Sequence, residues 1–193
     1  ARYSLFLSFD EATEVLVKAL EKRIRESKQA EIRLRTSVDA LEFCNGAWKL
    51  CTNTGEELEV DSLCLALPAY TSSLLLSNVS QQLSSLLNQI KFASTATVNL
   101  AYRRDAIEHE LNGFGFVVPF VEKRSIIACT FSSVKFSERA PADHVLLRAF
   151  VGGALQPEMF ELDEREITQR VEKDLRELIG VKSQPLFTDV RKW

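Results

Sequence analysis

The sequence has few residues of the kinds that build disulfide scaffolds or metal sites. Of its 193 residues, only four are cysteine and two are histidine. Four cysteines at irregular spacing are too few for a disulfide scaffold in a chain of this size, which favours reduced thiols. His109 and His144 have no cysteine or histidine at ligand spacing around them, so no metal site is expected.

Glycine is scarce as well, at seven residues. Only Gly113 and Gly115 are spaced like the start of a dinucleotide-binding loop, and the third glycine of that motif is lacking. The chain also has no Gly-x-Ser-x-Gly and no phosphate-binding Gly-Lys-Ser/Thr motif. It therefore has no phosphate cradle of its own, and a hydrolase is not indicated.

Long apolar runs and an excess of positive charge are missing too. The formal net charge is -3, which provides no cationic field for a nucleic-acid backbone, so nucleic acid is not an expected partner. No apolar run approaches the roughly 18 residues of a membrane-spanning helix. The chain begins at Ala1 without a signal region, which predicts a cytoplasmic segment of a longer protein.

What the sequence does contain is a succession of helix-like and strand-like patterns. The first half predicts an amphipathic helix over 9–27 capped by Ser8 and Glu11, a hairpin of 38–44 and 47–52 across Asn45-Gly46, and a buried strand over 62–67 that ends at Pro68. Two short helices, from Thr71 and over 80–89, follow. The second half predicts strands over 95–102, 114–118, 126–131 and 144–151, a helix over 164–179 capped by Asp163, and an extended tail over 184–193.

These patterns predict an α+β fold with a small antiparallel sheet, a larger mixed or antiparallel sheet and about four helices. The larger sheet is rich in phenylalanine, with Phe114, Phe116, Phe120, Phe131, Phe136 and Phe150 in its region. Such a cluster is typical of ordinary core packing. It also suits the wall of a pocket for a large, flat, apolar ligand, and the pattern alone leaves both interpretations open.

Several motifs in the second half occur in an order that resembles the protoporphyrinogen oxidases, a family that includes bacterial coproporphyrinogen oxidases within the flavin amine oxidase superfamily. The segments that carry the resemblance are 92–102, 113–119, 130–133, 139–141 and 150–153. Upstream it includes 62–70, and downstream it extends through 164–178 to Trp193. The resemblance covers nearly the whole chain, and it implies a fragment of an FAD-linked amine-oxidase-like fold.

The resemblance implies part of an FAD-dependent, oxygen-using enzyme of haem biosynthesis that converts protoporphyrinogen IX or coproporphyrinogen III to the porphyrin. In this family the flavin is held by an N-terminal glycine-rich fold and a C-terminal segment, and this chain contains neither. The implied partners are a porphyrinogen and the missing N- and C-terminal parts, and the isolated chain is expected to be inactive. Membrane contact is implied only through regions absent here. The choice between the two substrates stays open.

Residue by residue, the resemblance implies two sets of contacts. Positions near the flavin are Val38, Ala66, Pro68 and Trp193, and positions that line the porphyrinogen pocket are Gly115, Val117, Thr130 and Phe150. It implies no catalytic acid or base from this chain, because the flavin supplies the redox chemistry. The implied organisation is a part of the FAD-binding domain over 1–76, a substrate-binding domain over 77–180 and an extended return towards the FAD domain over 181–193.

The sequence departs from the family at one place. The family has a glycine pair where this chain reads Phe9-Asp10-Glu11-Ala12, which puts a flavin contact there in doubt.

Two other functions stay open. The first is another enzyme of the flavin amine oxidase superfamily, such as a carotenoid desaturase or a monoamine oxidase. The second is a free-standing binding module for porphyrins or other hydrophobic ligands.

Overall fold

The structure is a computed structural model that describes Phe9 and residues 12–193. The chain divides into two compact units, of which the first ends at Phe92 and the second begins at Ala93. The predicted capping box of Ser8 and Glu11 lies outside the described residues, as does most of the departure around Asp10.

The first unit contains a three-stranded antiparallel sheet in the order β1-β2-β3. Its elements are α1 (Glu14–Ser27), β1 (Val38–Cys44), β2 (Ala47–Thr52), β3 (Glu57–Val60), α2 (Ala69–Leu76) and α3 (Gln81–Asn88). The predicted hairpin is confirmed with its register, in which Cys44 lies opposite Ala47. Asn45 and Gly46 form the turn with φ values of 54° and 83°, because a two-residue hairpin turn of this kind needs left-handed backbone.

Helix α1 keeps the predicted amphipathic pattern but has no buried residue in the described chain. Leu16 and Leu20 on its apolar stripe are 48% and 52% exposed. Helices α2 and α3 instead approach each other closely, since the Ser73 hydroxyl donates to the Ser84 carbonyl at 2.8 Å and the Ser84 hydroxyl donates back to the Ser73 carbonyl at 2.9 Å. None of the helices in the described ranges is long and apolar enough to cross a membrane.

The prediction of a buried strand over 62–67 is wrong. The segment pairs with no strand of the described chain, and Cys64 and Ala66 are exposed while Leu63 and Leu65 pack towards the small core around Leu41. The apolar character on both sides suggested a strand between two layers, but within the described residues only one side is covered.

The second unit is built on a five-stranded antiparallel sheet in the order β5-β6-β7-β4-β8. Its elements are β4 (Thr95–Arg103), β5 (Gly115–Val117), β6 (Ile126–Phe131), α4 (Ser132–Lys135), β7 (His144–Gly152), α5 (Glu158–Glu161), α6 (Glu164–Ile179) and β8 (Phe187–Lys192). The four strands predicted from the sequence are confirmed. The extended tail becomes a fifth strand, because β8 pairs with β4 along its length.

Helix α6 covers one face of this sheet. Asp163 caps its N-terminus by accepting a hydrogen bond from the Glu166 amide at 2.8 Å, and Gly180 ends it in the left-handed conformation. Most of its apolar stripe is buried and packs on alternate residues of the strands, whereas Leu178 near its end is 37% exposed. The buried set includes Ile167, Val171 and Leu175 from the helix, and Val98, Leu100, Cys129, Phe131, Leu147, Ala149 and Val151 from the sheet.

A buried carboxylate joins the same helix to the start of β6. Asp174 is 4% exposed and accepts hydrogen bonds from the amides of Ser125 at 2.7 Å and Ile126 at 3.2 Å. Arg124 lies 3.5 Å away and provides the opposite charge. Because buried polar groups are stable only when they are paired, these contacts fix the position of β6 beneath α6.

The division of the chain after Phe92 differs from the predicted boundary at 76/77. The pairing of Ser73 with Ser84 keeps α3 with α2 in the first unit. Residues 181–193, predicted to return towards the FAD domain, contribute β8 to the sheet of the second unit. Which of these segments bind cofactor and which bind substrate stays a prediction.

Candidate functional site

The sheet face opposite α6 carries two rows of side chains that cross all five strands. Residues directly opposite each other in an antiparallel pair point to the same face. The first row is Val117, Ala128, Phe150, Thr97 and Arg191, and the second is Gly115, Thr130, Arg148, Asn99 and Asp189. We call this surface the outer face; none of its ten residues belongs to the buried core under α6.

The four predicted substrate residues all lie on the outer face. Val117 and Phe150 belong to the first row, and Gly115 and Thr130 to the second. Val117 is 78% exposed, and Thr130 and Phe150 are half-buried. Residues from three strands, separated by up to a few tens of positions in sequence, are thus neighbours on one surface, although their contact with a substrate stays a prediction.

Gly115 is required by the sheet itself. A Cβ atom at this position would touch the carbonyl oxygen of Cys129 and lie 2.9 Å from the Thr130 Cα. The φ of Gly115 is 143°, a conformation that residues with side chains rarely adopt. The family resemblance implies that Gly115 lines the porphyrinogen pocket, and the structure provides a separate reason for the glycine, the close approach of β5 to β6.

The phenylalanines do not form one aromatic wall. Phe131 is 2% exposed and Phe116 packs against it in the core, with ring centroids 6.0 Å apart. Of the six phenylalanines in the sheet region, Phe150 is the one on the outer rows, because β6 and β7 place alternate residues on opposite faces. Ordinary core packing therefore explains part of the cluster, and the sequence could not tell which part.

An apolar groove of about 390 Å³ adjoins the first row. Val117 and Ala128 belong to both, and the groove continues past Phe120 to Gly153 and Leu155. A larger cavity of about 740 Å³ lies between α6 and β8, but its lining is mostly charged and polar and includes none of the eight predicted site residues. The groove beside the first row is therefore the better match to a large apolar ligand.

The second row contains a hydrogen-bonded chain of polar side chains that sequence reasoning missed. The Arg148 Nε donates to Asn99 Oδ1 at 2.8 Å, and the Asn99 Nδ2 donates to Asp189 Oδ2 at 3.2 Å. Arg191 of the first row forms an ion pair with Asp189 at 2.8 Å. The signal in the sequence was a polar residue at alternate positions of strands whose other positions are apolar.

Trp193, predicted to lie near the flavin, is next to the first row. Its indole Nε1 donates to Thr97 Oγ1 at 3.4 Å, and Thr97 lies directly opposite Phe150. The indole is otherwise accessible, since Trp193 is 74% exposed. The structure thus brings one predicted cofactor residue close to one predicted substrate residue within the same unit.

The other predicted cofactor residues belong to the first unit. Val38 begins β1 and packs against the small core, and Ala66 and Pro68 are exposed at the end of the segment before α2. Residues 62–67 form no backbone hydrogen bond with any residue that the structure describes. An accessible backbone with unpaired polar groups and small side chains fits a ligand that carries its own hydrogen-bonding groups, such as a flavin.

The core side of β6 offers no nucleophile. Burial raises the pKa of the Cys129 thiol to about 12, because the thiolate would be desolvated beneath α6. At neutral pH this sulfur is therefore protonated and unreactive. Since Cys129 and Thr130 are adjacent on one strand, the same alternation that buries the thiol directs Thr130 to the outer face.

A family profile and several proteins of known name match nearly the whole chain. The profile of the family described as Flavin containing amine oxidoreductase matches residues 4–193. Coproporphyrinogen III oxidase of Bacillus subtilis is 27% identical over 188 residues, which are 97% of this chain and 39% of that protein. The chloroplastic protoporphyrinogen oxidase of Nicotiana tabacum is 29% identical over 96% of this chain and 35% of that protein.

Solved structures agree with this grouping. A crystal structure from Exiguobacterium sp. 255-15, of a protein assigned to the protoporphyrinogen oxidases, matches 97% of this chain and 40% of that one, with a TM-score of 0.80 and 28% identity. A putrescine oxidase matches 90% of the chain with a TM-score of 0.68 at 14% identity, which supports the fold alone. The chain thus spans between a third and two fifths of the length of these relatives.

Replacing Gly115 with alanine tests the reason for this glycine. Because the Cβ would collide with β6 and the backbone is in a glycine region, we expect Gly115→Ala to lower the free energy of unfolding by roughly 2 kcal/mol without any ligand present. Gly113→Ala is the matched control, since no atom lies within 4 Å of its Cβ position. Urea unfolding of both variants measures this, and equal stabilities would contradict the steric explanation.

Proposed function

The chain belongs to the flavin-containing amine oxidoreductase family, and we propose that it is the substrate-binding part of an FAD-dependent oxidase that converts a porphyrinogen to the porphyrin. The observation that carries the proposal is the outer face, where Gly115, Val117, Thr130 and Phe150 are neighbours on three paired strands. The relatives of similar sequence bear the names of coproporphyrinogen and protoporphyrinogen oxidases, which supports this choice of substrate class.

The chemistry of the outer face suits a tetrapyrrole. Val117, Ala128 and Phe150 of its first row form an apolar row beside the apolar groove, as a large planar ring requires, whereas Thr97 and Arg191 further along are polar. Its second row is polar, as the carboxylate-bearing edge of the same molecule requires. Val117 and Phe150 would contact the ring, and Thr130 lies one row away towards the polar side. The apolar row would exclude water from the ring carbon that reacts.

The proposed cofactor is FAD, and the family resemblance implies contacts with it from Val38, Ala66 and Pro68 in the first unit and from Trp193 in the second unit. When bound, a flavin accepts hydride from a carbon of the substrate, so the protein does not need to supply a strong acid or base. The contribution of this chain would be to orient the substrate and to keep its reacting carbon dry. The hydrogen bond from Trp193 to Thr97, opposite Phe150, supports a flavin position next to the first row.

We propose further that these residues act within a larger cytoplasmic polypeptide. The relatives are between two and a half and three times as long as the aligned segment, and the 193 residues contain no glycine-rich phosphate cradle. A nucleotide-binding segment would then come from sequence outside these residues, together with any part that contacts a membrane.

Turnover assays test the proposed activity. With added FAD, we expect the 193-residue chain to form no porphyrin from coproporphyrinogen or protoporphyrinogen, and we expect the polypeptide that joins it to a glycine-rich segment to form porphyrin, measured by fluorescence. Porphyrin formation by the 193 residues alone would refute the need for such a segment. A longer polypeptide that oxidises amines or carotenoids and neither porphyrinogen would support the other enzymes of the superfamily.

Binding of a porphyrin to the chain tests the surface. Val117→Asp places a carboxylate on the apolar row, and we expect porphyrin affinity to fall about tenfold or more, because the charge must be desolvated against the ring. Val121→Asp is the matched control, since Val121 is 80% exposed and lies outside the outer face. Titration followed by porphyrin absorbance measures both, and equal affinities would contradict the assignment of this face.

A further inference from the structure

We propose that Arg148 binds a carboxylate of the substrate, and that Asn99 holds its guanidinium in position on the outer face. This inference rests on the proposed function, because it takes the ligand of the outer face to be a carboxylate-bearing tetrapyrrole. It adds a residue that was not among the predicted contacts and identifies the chemical group that this residue recognises.

The first support is the position of Arg148. It lies on β7, the middle strand of the sheet, between Thr130 on β6 and Asn99 on β4. Its neighbour on the same face of β7 is Phe150, in the apolar row. A ligand that covers Val117 and Phe150 would therefore have one edge over the guanidinium, at a distance set by the spacing of two residues along one strand, roughly 7 Å.

The second support is the way the side chain is held. The Nδ2 of Asn99 donates a hydrogen bond to Asp189. This bond turns the Oδ1 of Asn99 towards Arg148, and that Oδ1 accepts a hydrogen bond from Arg148 Nε. The acceptor is a neutral amide, so it orients the guanidinium and leaves the positive charge in place. The two terminal Nη atoms form no hydrogen bond or ion pair with any residue the structure describes. A planar guanidinium with both Nη atoms available is suited to bidentate binding of a carboxylate.

The third support is the balance of charge around it. Asp189 is the nearby acid on the row, but Arg191 already pairs with it through two nitrogens, at 2.8 Å and 3.2 Å. Arg103, the last residue of β4, pairs with Asp105 at 3.1 Å. Arg148 is thus the position on the outer face where a positive charge has no acidic partner within the described chain.

Porphyrin binding by acid and ester forms provides the test. Coproporphyrin III and its methyl ester share the ring and differ in the carboxylate charge. We expect Arg148→Gln to weaken binding of the acid by about tenfold, the size of a lost charge-assisted hydrogen-bonded pair, and to leave binding of the ester unchanged. Arg148→Lys keeps the charge without the planar fork and should recover part of the loss. Arg103→Gln is the matched control and should leave both affinities unchanged.

The outcomes separate this inference from the proposed function. Equal affinity of the acid for the unaltered chain and for Arg148→Gln would overturn the role of Arg148 and leave the outer face as the binding surface. An equal loss for acid and ester would also overturn it, because a general structural effect does not depend on ligand charge. If the unaltered chain binds neither form, the proposed function fails and this inference fails with it.

Discussion

The packing of α6 against one face of the five-stranded sheet decides which side chains are available for function. The helix places Ile167, Val171 and Leu175 over alternate residues of β4 and β7, so the strand residues between those buried positions lie on the opposite face. Burying three such side chains contributes on the order of 5 to 8 kcal/mol relative to leaving them exposed, which strongly disfavours a slipped register. The outer face is a consequence of this burial.

The arrangement yields a surface with two kinds of chemistry in adjacent rows. The apolar row with its groove suits the body of a planar ring, and the row through Arg148 and Asn99 suits charged groups at the edge of the ring. Residues two positions apart on one strand, such as Arg148 and Phe150, belong to neighbouring rows on the same face, so the same strands supply both kinds of contact to one ligand. The predicted flavin contact Trp193 adjoins the same rows. One sheet would therefore both orient the proposed substrate and exclude water from its reacting carbon.

The elements that the sequence predicted correctly have local causes, and the errors have distant ones. The hairpin at Asn45-Gly46 and the helix capped by Asp163 depend on residues a few positions apart, so their patterns are readable. The segment 62–67 was misread because its neighbours, and not its own residues, decide whether both sides are covered. The row through Arg148 joins strands distant in sequence, and a register shift between Ile126 and Ala128 alters the facing of β6. The alternation within each strand therefore could not show which polar residues become neighbours.

The facing of β6 is the central claim, and cysteine labelling tests it most directly. Cys129 should resist alkylation in the native protein, because the thiol is buried with its pKa raised to about 12, whereas a cysteine introduced by Thr130→Cys should react rapidly. Mass spectrometry of labelled peptides before and after urea unfolding distinguishes the two sites. Protection of Cys129 with labelling at position 130 supports the account. Rapid labelling of Cys129 and protection at 130 would mean that the sheet is turned over, and would contradict it.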